Sequence, residues 1–151
     1  MDTPAGSTRG LTVGPKLWNG TTGDNQRNNV EATALASAAR TATTASADLV
    51  NYNGKLVVVI VNVTVWTADS LTPAIRGKDP ISGNYFQLHA NFTPIAATGT
   101  YVYVVGLSAL TAAAGGITAV AQAPLPRTWD VNMVHAGATT TTYSVSAITL
   151  V

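Results

Sequence analysis

The chain has 151 residues, 46% of them hydrophobic, which is enough for one domain with its own core and too few for two full-sized ones. Charged residues make up 10%, against roughly 25% in ordinary soluble proteins, and Thr, Ala, Ser, Asn and Gly stand in their place. The net charge of +1 comes without a basic cluster, which argues against a phosphate-tracking nucleic-acid site, and without cysteine the chain has no disulfide, thiolate metal site or cysteine nucleophile.

Residues 1–30 form a first unit, read as an extended or flexible N-terminal arm. Gly6, Gly10, Gly14, Gly20 and Gly23 interrupt a polar run whose apolar anchors are Leu11, Val13, Leu17 and Trp18. So little apolar surface does not offset the entropy of ordering the backbone. The segment is therefore either a disordered terminus or an arm ordered by a neighbouring subunit. In the second reading Leu17 and Trp18 are the plug, and Leu11 and Val13 also lie at the interface, since aromatic anchors are frequent there. The opening Met1-Asp2-Thr3-Pro4 lacks the charged and apolar regions of a secretory signal, so synthesis in a cytoplasm is expected.

Residues 31–151 read as one all-β domain. Ala36 to Ala47 alternates small and polar residues and predicts a first strand. Asn51-Tyr52-Asn53-Gly54 is a turn, its Asn-Gly pair expected to supply positive φ. Lys55 to Trp66 reads K-L-V-V-V-I-V-N-V-T-V-W, and its branched side chains favour an extended backbone. Alternation puts Val57, Val59, Val61, Val63 and Val65 on one face, with Leu56, Val58 and Ile60 on the other. A strand apolar on both faces must be covered on both, so it belongs in the middle of a sheet. It is far too short to cross a bilayer as a helix, which takes about 20 apolar residues.

Further along, Leu71 to Arg76 is a strand that Pro73 assigns to an edge or a bulge. Gly77 to Asn84 is dense in turn formers and predicts a hairpin connection into a short strand, Tyr85 to His89. Gly99 to Gly106 is a strand. Leu107 to Ala114 is either a short helix stopped by Gly115-Gly116 or a loop leading to a brief strand at Ile117 to Ala121. Pro124 and Pro126 force an extended approach to Arg127–His135, which places Trp129, Val131, Met133 and His135 on one face. Thr140 to Leu150 closes the chain, and a change of phase between Val145 and Ile148 predicts a bulge near Ser146. Seven or eight short strands with turn signals between them indicate an antiparallel two-sheet β-sandwich, of jelly-roll or immunoglobulin-like type.

Groups able to do chemistry are sparse. His89 and His135 stand far apart with no zinc-ligand spacing, and each reads as a structural residue. Glu31 is the sole glutamate. Asp69 and Asp79 read as turn residues, and Asp130 as a solvent-side strand position near Arg127 or Lys78. No nucleophile elbow, Walker loop or dinucleotide fingerprint occurs. The residues give no catalytic site, cofactor site or metal site, and the expectation is a protein that is not an enzyme. Strand aromatics (Trp66, Tyr85, Phe86, Tyr101, Tyr103, Trp129, Tyr143) are assigned mainly to the core, with any exposed remainder a candidate strip for stacking on sugars.

Four segments carry a resemblance. They are Leu35 to Thr43, the valine-rich strand, Ile75-Arg76-Gly77-Lys78-Asp79-Pro80-Ile81-Ser82-Gly83-Asn84-Tyr85, and Leu125-Pro126-Arg127-Thr128-Trp129-Asp130-Val131. Together with Thr142-Tyr143-Ser144-Val145 they make residues 35–151 similar to small β-rich virion proteins of tailed bacteriophages, the capsid decoration or cement proteins. That resemblance implies a structural protein on the capsid surface, made in the host cytoplasm. Its partners would be the major capsid protein and copies of itself, as a trimer on a threefold axis, with no nucleic acid or membrane. The alternative is a tail or baseplate β-sandwich that touches host surface glycans. Relatives carry a hydrophilic residue such as Arg after the Trp, where this chain has Asp130, so surface charge there does not transfer.

Overall fold

A computed structural model describes residues 16–18, 23–25, 29–68, 70–89, 92–107 and 116–151. The described residues contain strands and no helix. A short antiparallel pair, β1 (Lys16–Trp18) with β2 (Gly23–Asn25), stands by itself in the N-terminal segment. The other strands are β3 (Val30–Arg40), β4 (Thr44–Ala45), β5 (Leu49–Val50), β6 (Leu56–Val65), β7 (Leu71–Lys78), β8 (Tyr85–His89), β9 (Gly99–Gly106), β10 (Ala119–Gln122), β11 (Thr128–His135) and β12 (Thr141–Leu150). They form two sheets, β10-β9-β6-β12-β3 and β4-β11-β7-β8, with β5 on the same edge of β11 as β4. The sheets pack on each other as a β-sandwich. Among the described residues all ladders but one are antiparallel; β10 runs parallel to β9.

The valine-rich strand is β6, the middle of its sheet between β9 and β12, as its two apolar faces require. Val57, Val59, Val61 and Val63 are buried against the second sheet. Val65 is not: it is 47% exposed. The register with β12 slips between Val63 and Val65, so Thr64 is an extra residue and Val65 turns to the outer face. In β12 the predicted phase change does not occur. Burial alternates without a break, with Tyr143, Val145, Ala147 and Thr149 inward and Ser144, Ser146, Ile148 and Leu150 outward. The irregularities around Val145 instead insert extra residues into the neighbouring β3.

Three other expectations are corrected. The first strand of the domain is Val30–Arg40, and the chain then leaves for the other sheet at β4, so the predicted run to Ala47 is split. Its Ala, Ser and Thr residues give no contrast between faces, hence no boundary signal. Pro73 lies in β7, an interior strand between β11 and β8. It is tolerated because β8 pairs only with Ile75–Lys78, and the next contact on that side is the Leu71–Ile95 bridge. Gly54 is not among the glycines with positive φ, which among the described residues are Gly83, Gly99 and Gly116. Its requirement is space: a Cβ there would overlap the Thr149 methyl and Asn51 Oδ1. Asn51 holds this corner, accepting from Gly54 N at 2.7 Å and donating to the Gly54 and Leu125 carbonyls at 3.1 Å each.

The core lies between the sheets. Val57, Val59, Tyr103, Tyr143 and Val145 of one sheet meet Leu71, Ile75, Trp129, Val131 and Met133 of the other, closed at one side by Phe92 and Ile95. Leu107 is exposed, and β10 begins at Ala119; the helix-or-loop segment up to Ala114 falls outside the described residues from 108 on.

Candidate interaction surfaces

The arm residues expected at an interface divide in two. Leu17 and Trp18 lie in β1, paired with Asp24 and Gly23 of β2, while Leu11 and Val13 fall outside the described residues. Asp69 also lies outside them.

The outer face of the β4-β11-β7-β8 sheet is polar, and it joins the two strings of the resemblance. Arg76 and Gly77 of β7 stand opposite Asp130 and Trp129 of β11. Register thus creates a bidentate ion pair, Arg76 Nε to Asp130 Oδ1 at 2.9 Å and Arg76 Nη2 to Asp130 Oδ2 at 2.5 Å. The Asp130 side chain is 1% exposed, so it is a buried strand residue and not the solvent-side position expected from alternation. The hydrogen bonds from Arg76 to Asp130 hold the guanidinium pKa above its ordinary value.

Beside this pair Asp48, from the link between β4 and β5, accepts from Lys78 Nζ at 2.6 Å and from the Tyr85 hydroxyl at 2.5 Å. The bond from Lys78, then that from Tyr85, keep the Asp48 carboxyl below the usual range, and Asp48 in turn raises both partners. Arg76 stacks over the Tyr85 ring at 4.6 Å. Asp48 carries no signature in the sequence; only the fold brings it across to Lys78. Asp79 is a turn residue, as expected: its carboxylate accepts from Ser82 Oγ at 2.5 Å and Ile81 N at 3.0 Å, which depresses its pKa. The turn thus built presents Ile81, 95% exposed, at the hairpin tip.

The histidines stay apart. His89 packs tilted against Phe92 at 4.6 Å between centroids, and His135 Nε2 lies 3.3 Å from the Tyr143 hydroxyl. Among the described residues no cluster of three or more His, Cys, Asp or Glu could hold a metal. Of the strand aromatics, Tyr103, Trp129 and Tyr143 are buried and Trp66 and Tyr101 pack partly against the core. Tyr85 and Phe86 are exposed, but as neighbours in β8 they point to opposite faces and form no flat platform. Phe86 lies against Gly77, where a Cβ would meet its ring at 2.5 Å.

The outer face of the other sheet has the opposite chemistry. Leu56, Val58 and Ile60 of β6 stand beside Leu150, Ile148 and Ser146 of β12, and beside Gly106, Val104 and Val102 of β9. Apart from Ser146 and Gly106 these residues are aliphatic. The double-sided apolar pattern of β6 gives the composition of this face, and β3 places Glu31 beside Ile148 on it. No protein-family model, curated protein or solved structure matches the chain.

Proposed function

We propose that the chain is a structural virion protein that binds the outside of a tailed-phage capsid as an oligomer and stabilises the head, in the manner of a decoration protein. The observation that carries this reading is the pair of strings in residues 75–85 and 125–131, which resemble that group and lie side by side on β7 and β11. Their ionisable residues act as construction. Arg76–Asp130 pins two strands, Asp48–Lys78–Tyr85 ties the β4–β5 link to the hairpin, and Asp79 builds the hairpin tip. A body of this kind contributes buried area and rigidity, which is what a strained shell requires of its cement. The partners are the major capsid protein and copies of the chain, with a trimer suited to a threefold axis; the location is the virion surface.

The test uses heads of the phage that encodes this chain, stripped of the protein. Added full-length protein is expected to co-sediment with them and raise their resistance to heat, and a chain starting at residue 29 is expected to bind more weakly through loss of the arm. Immunogold label confined to tails, with bare heads, would transfer the protein to a tail or baseplate role.

A further inference from the structure

We infer that Asn53 is a modification site of this chain, a deamidation hotspot by sequence that the fold holds shut through Asn51 and Thr149. In an Asn-Gly pair the glycine backbone nitrogen, once it gives up its proton, attacks the asparagine Cγ. A C–N bond forms, the Cγ–Nδ2 bond breaks, and ammonia leaves, carrying in net balance the proton that the nitrogen lost. The succinimide then takes up one water and opens to aspartate or isoaspartate. Glycine favours this reaction because it has no side chain to obstruct the approach and its backbone turns freely. Asn53-Gly54 is such a pair, set in the corner that carries the chain from β5 of one sheet to β6 of the other.

Three features of the corner oppose the reaction. The first acts on the nucleophile: Gly54 N–H donates to Asn51 Oδ1 at 2.7 Å, so it is aimed at a different side chain from the one it would attack. Asn51 grips the other side of the same residue, donating Nδ2 to the Gly54 carbonyl at 3.1 Å. It is anchored in turn by its bond to the Leu125 carbonyl at 3.1 Å and by its own N–H to the Arg127 carbonyl at 2.7 Å. The next amide, Lys55 N–H, donates to the Leu150 carbonyl at 2.9 Å. Turning Gly54 toward Asn53 Cγ therefore breaks hydrogen bonds of a buried side chain. The second feature is space, because the Thr149 methyl occupies the side of Gly54 where a Cβ would stand. It closes the gap that makes glycine permissive. The third concerns the leaving group. Asn53 Nδ2 is buried with no acceptor among the described residues, beside a cavity of about 10 Å³ lined by Val50, Asn51 and Thr149. That volume holds one water at most, which restricts both proton transfer and hydrolysis. Isoaspartate at this position would lengthen the main chain just before β6, where Leu56 pairs with Leu150 and Gly106. Modification and loss of the corner thus go together. The assignment does not depend on the virion reading.

The experiment follows Asn53 by peptide mapping of the whole chain, incubated in mildly alkaline buffer either folded or unfolded in guanidinium chloride. Cleavage after Arg40 and Lys55 isolates residues 41–55, and fragmentation of that peptide separates Asn51 from Asn53. Conversion of Asn53 is expected to be ~100-fold slower in the folded chain than in the unfolded one. Asn51→Ala removes the acceptor of Gly54 N–H, and Thr149→Ser removes the methyl while keeping the hydroxyl. They are expected to raise the folded rate ~10-fold and ~3-fold, with the unfolded rate unchanged. The first comparison and T149S, for which a cooperative melt is expected, decide the matter even where N51A does not fold. Equal rates in the folded and unfolded chain would overturn the assignment. So would T149S, together with any folded N51A, converting as slowly as the unaltered protein.

Discussion

Asp130 is held in the sheet by the Arg76 side chain that stands opposite it. The two partners are unequal: the Arg76 side chain is 22% exposed and that of Asp130 is 1% exposed. Removing Arg76 leaves a carboxylate stranded in the sheet, whereas removing the charge of Asp130 leaves a guanidinium that can turn toward water. Arg76→Met is therefore expected to cost about 3–5 kcal/mol. Asp130→Asn, which keeps an acceptor in place, is expected to cost about 1–2 kcal/mol. Urea unfolding checks the order, and equal losses would contradict it. Tyr103 is a second case in which burial rules. Its hydroxyl has no partner among the described residues, and burial pushes its pKa up. Tyr103→Phe removes an unmet polar group without changing the shape of the core, so stability is expected to stay level or rise by about 1 kcal/mol in the same assay.

The β7–β8 hairpin shows how an element acquires rigidity beyond its ladder. Asp79 fixes the tip, and Asp48 reaches from another segment to hold Lys78 and Tyr85 at the base. The signs of the shifts set its pH window. The Asp48 carboxyl is depressed in the folded chain, so its contacts persist above its ordinary value near 3.9 and are lost as pH falls through the lower folded value. Lys78 and Tyr85 are raised, so their share is present below about 10 and is lost as pH rises through the higher folded values. NMR shifts of the Tyr85 ring should be flat through neutral pH and move at both extremes. A transition between pH 5 and 8 would refute the network. β6 shows the complementary lesson: a single bulge at Thr64 is enough to take Val65 out of the core stripe that the preceding four valines share.

For the molecule as a whole, the decisive feature is that β12, the last strand, lies between β3, the first of the domain, and β6. Both halves of that sheet wait for the C-terminus, and the second sheet likewise joins β11 to the early β4 and β5. Such non-local pairing is slow to search, since loop closure costs entropy before contacts repay it. Refolding is expected in the millisecond-to-second range, against microseconds for helical bundles of similar size, and stopped-flow tryptophan fluorescence reports it through buried Trp129.

Local pattern was sufficient wherever side chains contrast. The β class, the central strand, the β9 span, the hairpin and the turn role of Asp79 all follow from branched residues, alternation and turn chemistry that act within a few positions. The beginning of β3 stayed hidden because alanine, serine and threonine fit either face of a strand equally well. Pro73 misled because its cost depends on whether a neighbour is present, and neighbours belong to the sheet. The pairing of Asp130 with Arg76 and the reach of Asp48 to Lys78 were decided by tertiary structure alone. Each depends on register between segments distant in sequence, and no local preference encodes a distance across strands.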